Sequence, residues 1–380
     1  MSPELIEAAT GATRWQQSFD APMTDVFRVQ ADVAERVARE LGVALAAGDR
    51  QHLEARPTGD LDAYDLYLRG RHAWHQRTAA GLDEARRLLE QAIAADPGFA
   101  PAHAALADVY AVLPLWSDLS PEQTYPRARA AALEALRLDS TLASPWAVLG
   151  DFNAVYAWNW AESERDFRRS LALEPNNANT HHWYNGDYLL AMGRMDDAVR
   201  EARRAHELDP LSLTISGGLG RALYSTGHAE EAVEELRNAV AMDTTFSLTN
   251  EYLGTAYIAL GRYAESVPIL RRALEPGVRI SSTLSILGYA LAKSGQRAEA
   301  EQIIKELLDR GRRGYITPTS LAMSYAGVGD TTEVFTWLRR AAEAHDPSLI
   351  YNYVTYPVMA PFRRDPRGQA ILRSMGLGQR

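Results

Sequence analysis

The chain has 380 residues, no cysteine and a formal net charge of −9. Disulfides, thiol catalysis and cysteine-ligated metal are therefore excluded, and the negative charge argues against nucleic acid as the principal partner, because phosphate contacts need clustered cations. No apolar run approaches the ~18 residues needed to cross a bilayer, and Met1-Ser2-Pro3-Glu4 lacks the basic start of a secretory signal; the expected location is the cytoplasm, unless a membrane segment lies upstream.

Residues 4–20 read as a β-hairpin turning at Thr10-Gly11. From Thr24, an N-cap residue, Val26, Val29, Val33, Val37 and Leu41 recur at helical spacing and predict a helix of about five turns. Residues 1–47 thus form a partial α/β segment, and 48–60, containing Arg56-Pro57-Thr58-Gly59-Asp60, a polar connector. The hairpin has no further sheet partner in view, so its edges should present unpaired backbone groups.

From about Leu61 the chain repeats. Gly186, Gly220, Gly254, Gly288 and Ala322 recur every 34 residues, as do Gly193, Gly227, Gly261, Gly295 and Gly329, and likewise Ala198, Ala232, Ser266, Ala300 and Val334. A period of this length marks stacked helix pairs. The first and third series are small where two helices cross, and the second supplies the left-handed residue that ends the first helix of each pair. Leu219, Leu253 and Leu287, with Leu236, Leu270, Ile304 and Leu338, fill the space between. Second helices stop at Asp209-Pro210, Asp243-Thr244 and Asp346-Pro347. Upstream, the small position falls at Gly150, Ala107 and Gly70, at intervals of 36, 43 and 37. The longest interval is explained by a loop over 113–121. Eight pairs over 61–347 follow, with no strand in that range and contacts between neighbouring units alone. Residues 348–380 form a capping segment, in which Asp365-Pro366 starts a last helix of about ten residues over the open end of the stack.

This pattern resembles the tetratricopeptide repeat, with its 34-residue unit, small crossing positions and closing proline. The resemblance implies an all-α, right-handed superhelix (an α-solenoid) with a short N-terminal α/β remnant, serving as a non-catalytic scaffold for a protein or peptide. Residues Ala9-Thr10-Gly11, Trp15, Asp25-Val26-Phe27 and Gln30 resemble the end of a small α/β domain that precedes repeats in some bacterial regulators joined to a kinase, a nucleotide cyclase or a winged-helix DNA binder. That implies the partner-recruiting or sensory part of a signalling or transcription-regulatory protein. In the family, the positions three before and one, four and five after the small residue face the groove. Carried over, these place Asp108, Asp151 and Asp187 in one row and add Trp74, Trp183, Tyr224 and Tyr289. A basic, partly apolar segment is the expected partner. The alternative for the row is that its aspartates bond to neighbouring helices. The Lys/Asn carboxylate clamp of some family members is replaced here by Tyr67/Arg71, Ala104/Asp108, Ala147/Asp151 and Trp183/Asp187.

No metal or other cofactor is expected. His72 with His75 and His181 with His182 lack carboxylate or cysteine partners at ligand spacing and read as surface or packing residues. GxxxxGK[ST], HExxH and GxSxG are absent, and Lys293 and Lys305 are the two lysines. An RNA-binding helical repeat would need a basic groove where this one carries an acidic row, and a helical hydrolase a closed ring with paired carboxylates.

Overall fold

The computed structural model describes residues 2–7, 10–18, 26–42, 56–117, 119–275 and 280–378. Strands Glu4–Ile6 and Thr13–Gln16 pair antiparallel, with Leu5 opposite Trp15. Gly11, at φ 70°, turns the hairpin while its N–H donates to the Glu7 carbonyl at 2.8 Å. The sheet has two strands among the described residues. The following helix, Val26–Glu40, is about four turns rather than five, and its expected cap Thr24 lies outside the described residues. The Tyr64 hydroxyl donates to Gln30 at 2.9 Å and ties this helix to the first repeat.

Eight helix pairs follow among the described residues: Leu61–His75 with Ala79–Ala95 (unit 1), Ala100–Trp116 with Pro121–Leu138 (unit 2), Ser144–Tyr156 with Trp160–Leu173 (unit 3), and Ala178–Leu189 with Met195–Leu208 (unit 4). Units 5 to 8 are Leu213–Ser225 with Ala229–Met242, Ser247–Ala259 with Tyr263–Ala273, Ser281–Lys293 with Arg297–Gly311, and Pro318–Val328 with Thr331–Glu343. No strand occurs among the described residues of this range, and the expected all-α superhelix is the architecture. The second glycine series does what its spacing implies: Gly193, Gly227, Gly261, Gly295 and Gly329 all have φ between 71° and 92°. At the crossing positions a Cβ on Gly220 would lie 2.4 Å from Leu236 Cγ, and one on Gly254 2.6 Å from Leu270 Cγ, so a methyl there would wedge the pair apart.

Two expectations are corrected, and one irregular interval is accounted for. Residues 113–116 are helix, not loop: the first helix of unit 2 runs through Pro114 because Val112, Leu113 and Pro114 are buried, and Ser117 Oγ donates to the Leu113 carbonyl at 2.7 Å. The interval of 36 arises inside helices. Units 3 and 4 each widen into a π-helical turn, Phe152–Tyr156 and Tyr184–Leu189, whose i to i+5 bonds include Ala157 N–H to the Phe152 carbonyl (2.9 Å) and Leu190 N–H to the Asn185 carbonyl (3.0 Å). Finally, contacts are not confined to neighbours. The tail carries a third π-helical turn, Leu349–Val354, and short helices Pro357–Met359, Ala360–Arg364 and Pro366–Ser374. It does pack on the last unit, with Phe362 against Phe335 (6.0 Å), but it also reaches back across the stack. His345 Nδ1 meets the Tyr156 carbonyl at 2.6 Å, Trp160 Nε1 donates to the Met375 carbonyl at 2.7 Å, and the Tyr356 hydroxyl donates to the Thr255 carbonyl at 3.3 Å. The driving force is apolar: Leu349, Ile350, Tyr353, Tyr356, Met359, Leu372 and Met375 are all buried.

Candidate functional site

Down the stack, the residues after the small crossing positions read Arg71, Asp108, Asp151, Asp187, Arg221 and Thr255, of which Asp151, Asp187, Arg221 and Thr255 face one cavity. Three aspartates are therefore bracketed by two arginines. Asp151 closes the helical part of unit 3 immediately before its π-helical turn, Asp187 lies within that of unit 4, and Tyr351 within that of the tail. Such turns insert a residue and re-aim the side chains around it. The result is a cluster in which Asp151 stands near Asp187 and Arg221 Nη2 lies 3.9 Å from Asp187 Oδ1. The Arg221 guanidinium is stacked over the Tyr351 ring, 4.6 Å from its centroid.

Glycines clear the space for this. A Cβ on Gly186 would lie 1.9 Å from Arg221 Nη2, so this glycine serves the next unit's arginine as much as any helix crossing. A Cβ on Gly218 would lie 2.3 Å from the His182 ring, and one on Gly217 2.8 Å from that of Tyr252.

Around the cluster is a cavity of about 570 Å³, walled by the first helices of units 2 to 7 and roofed by Ser348, Tyr351 and Asn352 of the tail. Its electrostatics follow from burial. Asp151 is pushed well above the usual carboxylate range by burial and then by the charge of Asp187. Asp187 is raised to about 6 by burial, which Arg221 opposes. Glu251, which also faces the cavity, is raised to about 7 by burial, opposed by the hydrogen bond from Thr283. His182 is pushed down to about 3 by burial, Arg221 and Arg77, and Arg77 is lowered to about 10 by burial yet remains charged.

Of the residues expected in the groove, Asp151, Trp183, Asp187 and Tyr224 line the cavity. Trp74, Asp108 and Tyr289 do not. Trp74 is buried with Arg77 stacked on it at 3.7 Å, and Tyr289 packs on Tyr263 at 6.3 Å. Both oxygens of Asp108 accept from Ser144 Oγ of the next unit at 3.2 and 3.3 Å, the neighbouring-helix alternative realised at that position, and burial lifts it to about 6. Sequence reasoning passed over Arg77, Arg221 and Glu251 and read His182, which lines the cavity, as a surface or packing residue. Two of these were within its reach, since Arg221 is one after Gly220 and Glu251 three before Gly254. His181 is held between Glu201 (2.5 Å) and the Pro175 carbonyl (2.9 Å), and no cluster able to hold a metal occurs among the described residues. Nor is any helix among them long and apolar enough to cross a membrane.

Comparison with known proteins agrees with the repeat architecture. The sequence pattern of the tetratricopeptide repeat matches residues 189–247 and 253–275. The chain is 33% identical over 143 residues to putative adenylate cyclase 3 of Rhizobium meliloti, covering 37% of this chain and 24% of that protein. It is 25% identical over 150 residues to the transcriptional regulator HilA of Salmonella typhimurium, covering 40% and 27%. The chain thus spans about a quarter of the length of the curated relatives it matches. Among solved structures, a human IFIT1 dimer with m7Gppp-AAAA superposes over 83% of this chain and 77% of its own, with 15% identity and a TM-score of 0.54.

Proposed function

Because the chain carries tetratricopeptide repeats, whose stacked pairs make protein-interaction scaffolds, we propose that its inner face recognises a short segment of a partner protein as the non-catalytic, partner-recruiting part of a signalling or transcription-regulatory protein. The observation that carries this reading is the cavity itself, a concave space of about 570 Å³ with aromatic walls at Trp183, Tyr224 and Tyr252 and carboxylates at Asp187 and Glu251. The segment is partly apolar and carries a lysine or arginine that seats beside Glu251, away from Arg221. The similarity to a cyclase and to a transcriptional regulator supports the regulatory setting.

Peptides selected from a random displayed library test this. The expected winners combine an apolar residue with Lys or Arg, bind more weakly as salt rises, and bind more tightly as pH rises through 7, because Glu251 must give up its proton to meet the cation. Glu251→Gln should remove the pH dependence. Selection of acidic peptides, or of none, would overturn the reading. Tighter binding of m7Gppp-AAAA than of any selected peptide would move it to RNA, the runner-up.

A further inference from the structure

One corner of the cavity is built for the opposite charge. Arg221 is 4% exposed and Arg77 6%, and among the described residues neither guanidinium has a carboxylate within hydrogen-bonding distance. Arg77 reaches the corner from a left-handed residue (φ 50°) at the end of the first helix of unit 1, braced on Trp74. Arg221 comes from unit 5, braced on Tyr351. Arg221 Nη1 and His182 Nδ1 are buried without any hydrogen-bond partner, as are Tyr315 OH and Ser281 Oγ farther along the same wall. Buried donors and acceptors are ordinarily paired, so a fold that turns these toward a cavity, and keeps Gly186 and Gly218 free of side chains to do it, has a use for them.

The charges point to an anion. Two buried guanidinium groups, Arg77 and Arg221, face this corner, and the carboxylate nearest Arg221, Asp187, stands off at 3.9 Å. His182 stays neutral, so one ring nitrogen donates and the other accepts. The lining also offers an apolar strip, including Val112, Leu115, Ile280 and Ile286. The volume falls within the roughly 300–1,000 Å³ of small-molecule pockets.

We propose that the Arg77–His182–Arg221 corner binds a small organic acid, an apolar or aromatic body bearing one carboxylate, whose oxygens accept the free N–H groups of Arg221 and Arg77 while the body lies against the aliphatic wall. This goes beyond the peptide reading, and each can fail alone: a peptide site needs no free carboxylate, and an organic acid needs no peptide.

The test uses benzoate, 4-hydroxyphenylacetate and indole-3-acetate, each beside its neutral amide, and benzylamine as the cationic counterpart. Binding to the whole chain is measured by saturation-transfer NMR and calorimetry. At least one acid should bind, at least about tenfold tighter than its amide, a difference of about 1.4 kcal/mol, and Arg221→Gln and Arg77→Gln should each abolish that preference. The acid-over-amide comparison needs no variant, so it stands even if one substitution fails to fold. Absence of binding by all three acids, equal binding of acids and amides, tighter binding of benzylamine, or a preference that survives both substitutions would overturn the proposal.

Discussion

Glu251→Gln isolates how dry the cavity is. Glu251 lies in the first helix of unit 6 and faces the cavity beside Tyr252, with Thr283 of unit 7 donating to its carboxyl. Burial raises it from an ordinary 4.5 to about 7. A carboxyl raised on folding favours the folded state while protonated, so its contribution is fully present below the unfolded value and lost as pH climbs through the folded one. At about 1.4 kcal/mol per unit, wild type should lose about 2–3 kcal/mol between pH 4.5 and pH 8.5 that the variant does not. Glutamine keeps the oxygen that accepts from Thr283, so the two proteins should differ little at pH 4.5, with the variant the more stable at pH 8.5. Urea denaturation followed by circular dichroism at both pH values, with unchanged slopes, gives the comparison. Parallel pH profiles would mean that Glu251 is solvated. A variant that is worse at pH 8.5 would mean that the carboxylate is paired.

Three further outcomes follow from the packing. Gly220→Ala should cost about 1–3 kcal/mol by overpacking against Leu236, whereas Gly288→Ala, whose Cβ would meet Ile303 at 3.3 Å, should cost much less, as thermal unfolding would show. Asp151→Asn should leave the melting temperature at pH 7.5 unchanged or raised, since burial and the Asp187 charge push Asp151 toward its neutral form; a fall of several degrees would show an ionised, paired Asp151. Trp160→Phe deletes the donor to the Met375 carbonyl and should speed amide exchange over 366–377, leaving units 5 to 8 protected; unchanged exchange there would show that the bond does not hold the tail.

What the sequence made legible is what repeats. Gly227 and Gly295 announce helix ends because few other residues tolerate a positive φ, and Gly220 announces a crossing because a Cβ would strike Leu236. The π-helical turns were not legible, because an extra residue inside a helix and one in a loop lengthen an interval alike; the 36 residues from Gly150 to Gly186 could be either. Pro114 read as a loop because proline usually breaks a helix; the helix runs through it all the same, giving up the bond that an N–H at 114 would make to the Tyr110 carbonyl and burying the ring. The path of the tail was illegible too. Leu349, Ile350 and Tyr353 are visibly apolar, but nothing local tells a face that caps unit 8 from one that crosses to Tyr156 and Thr255. The acidic row was legible by register, and its meaning changed once Arg71 and Arg221 proved to continue it and burial proved to remove part of its charge.

The central claim is that recognition happens in the cavity beneath the tail, and one measurement reaches it most directly: calorimetric titration of a library-selected peptide into wild type and into Leu115→Arg, whose long side chain would project into the cavity from the last turn of unit 2's first helix. Affinity should fall by at least about tenfold, about 1.4 kcal/mol, with the melting temperature within a degree or two of wild type. Undiminished affinity in a folded Leu115→Arg would place the binding surface elsewhere on the superhelix and contradict the account.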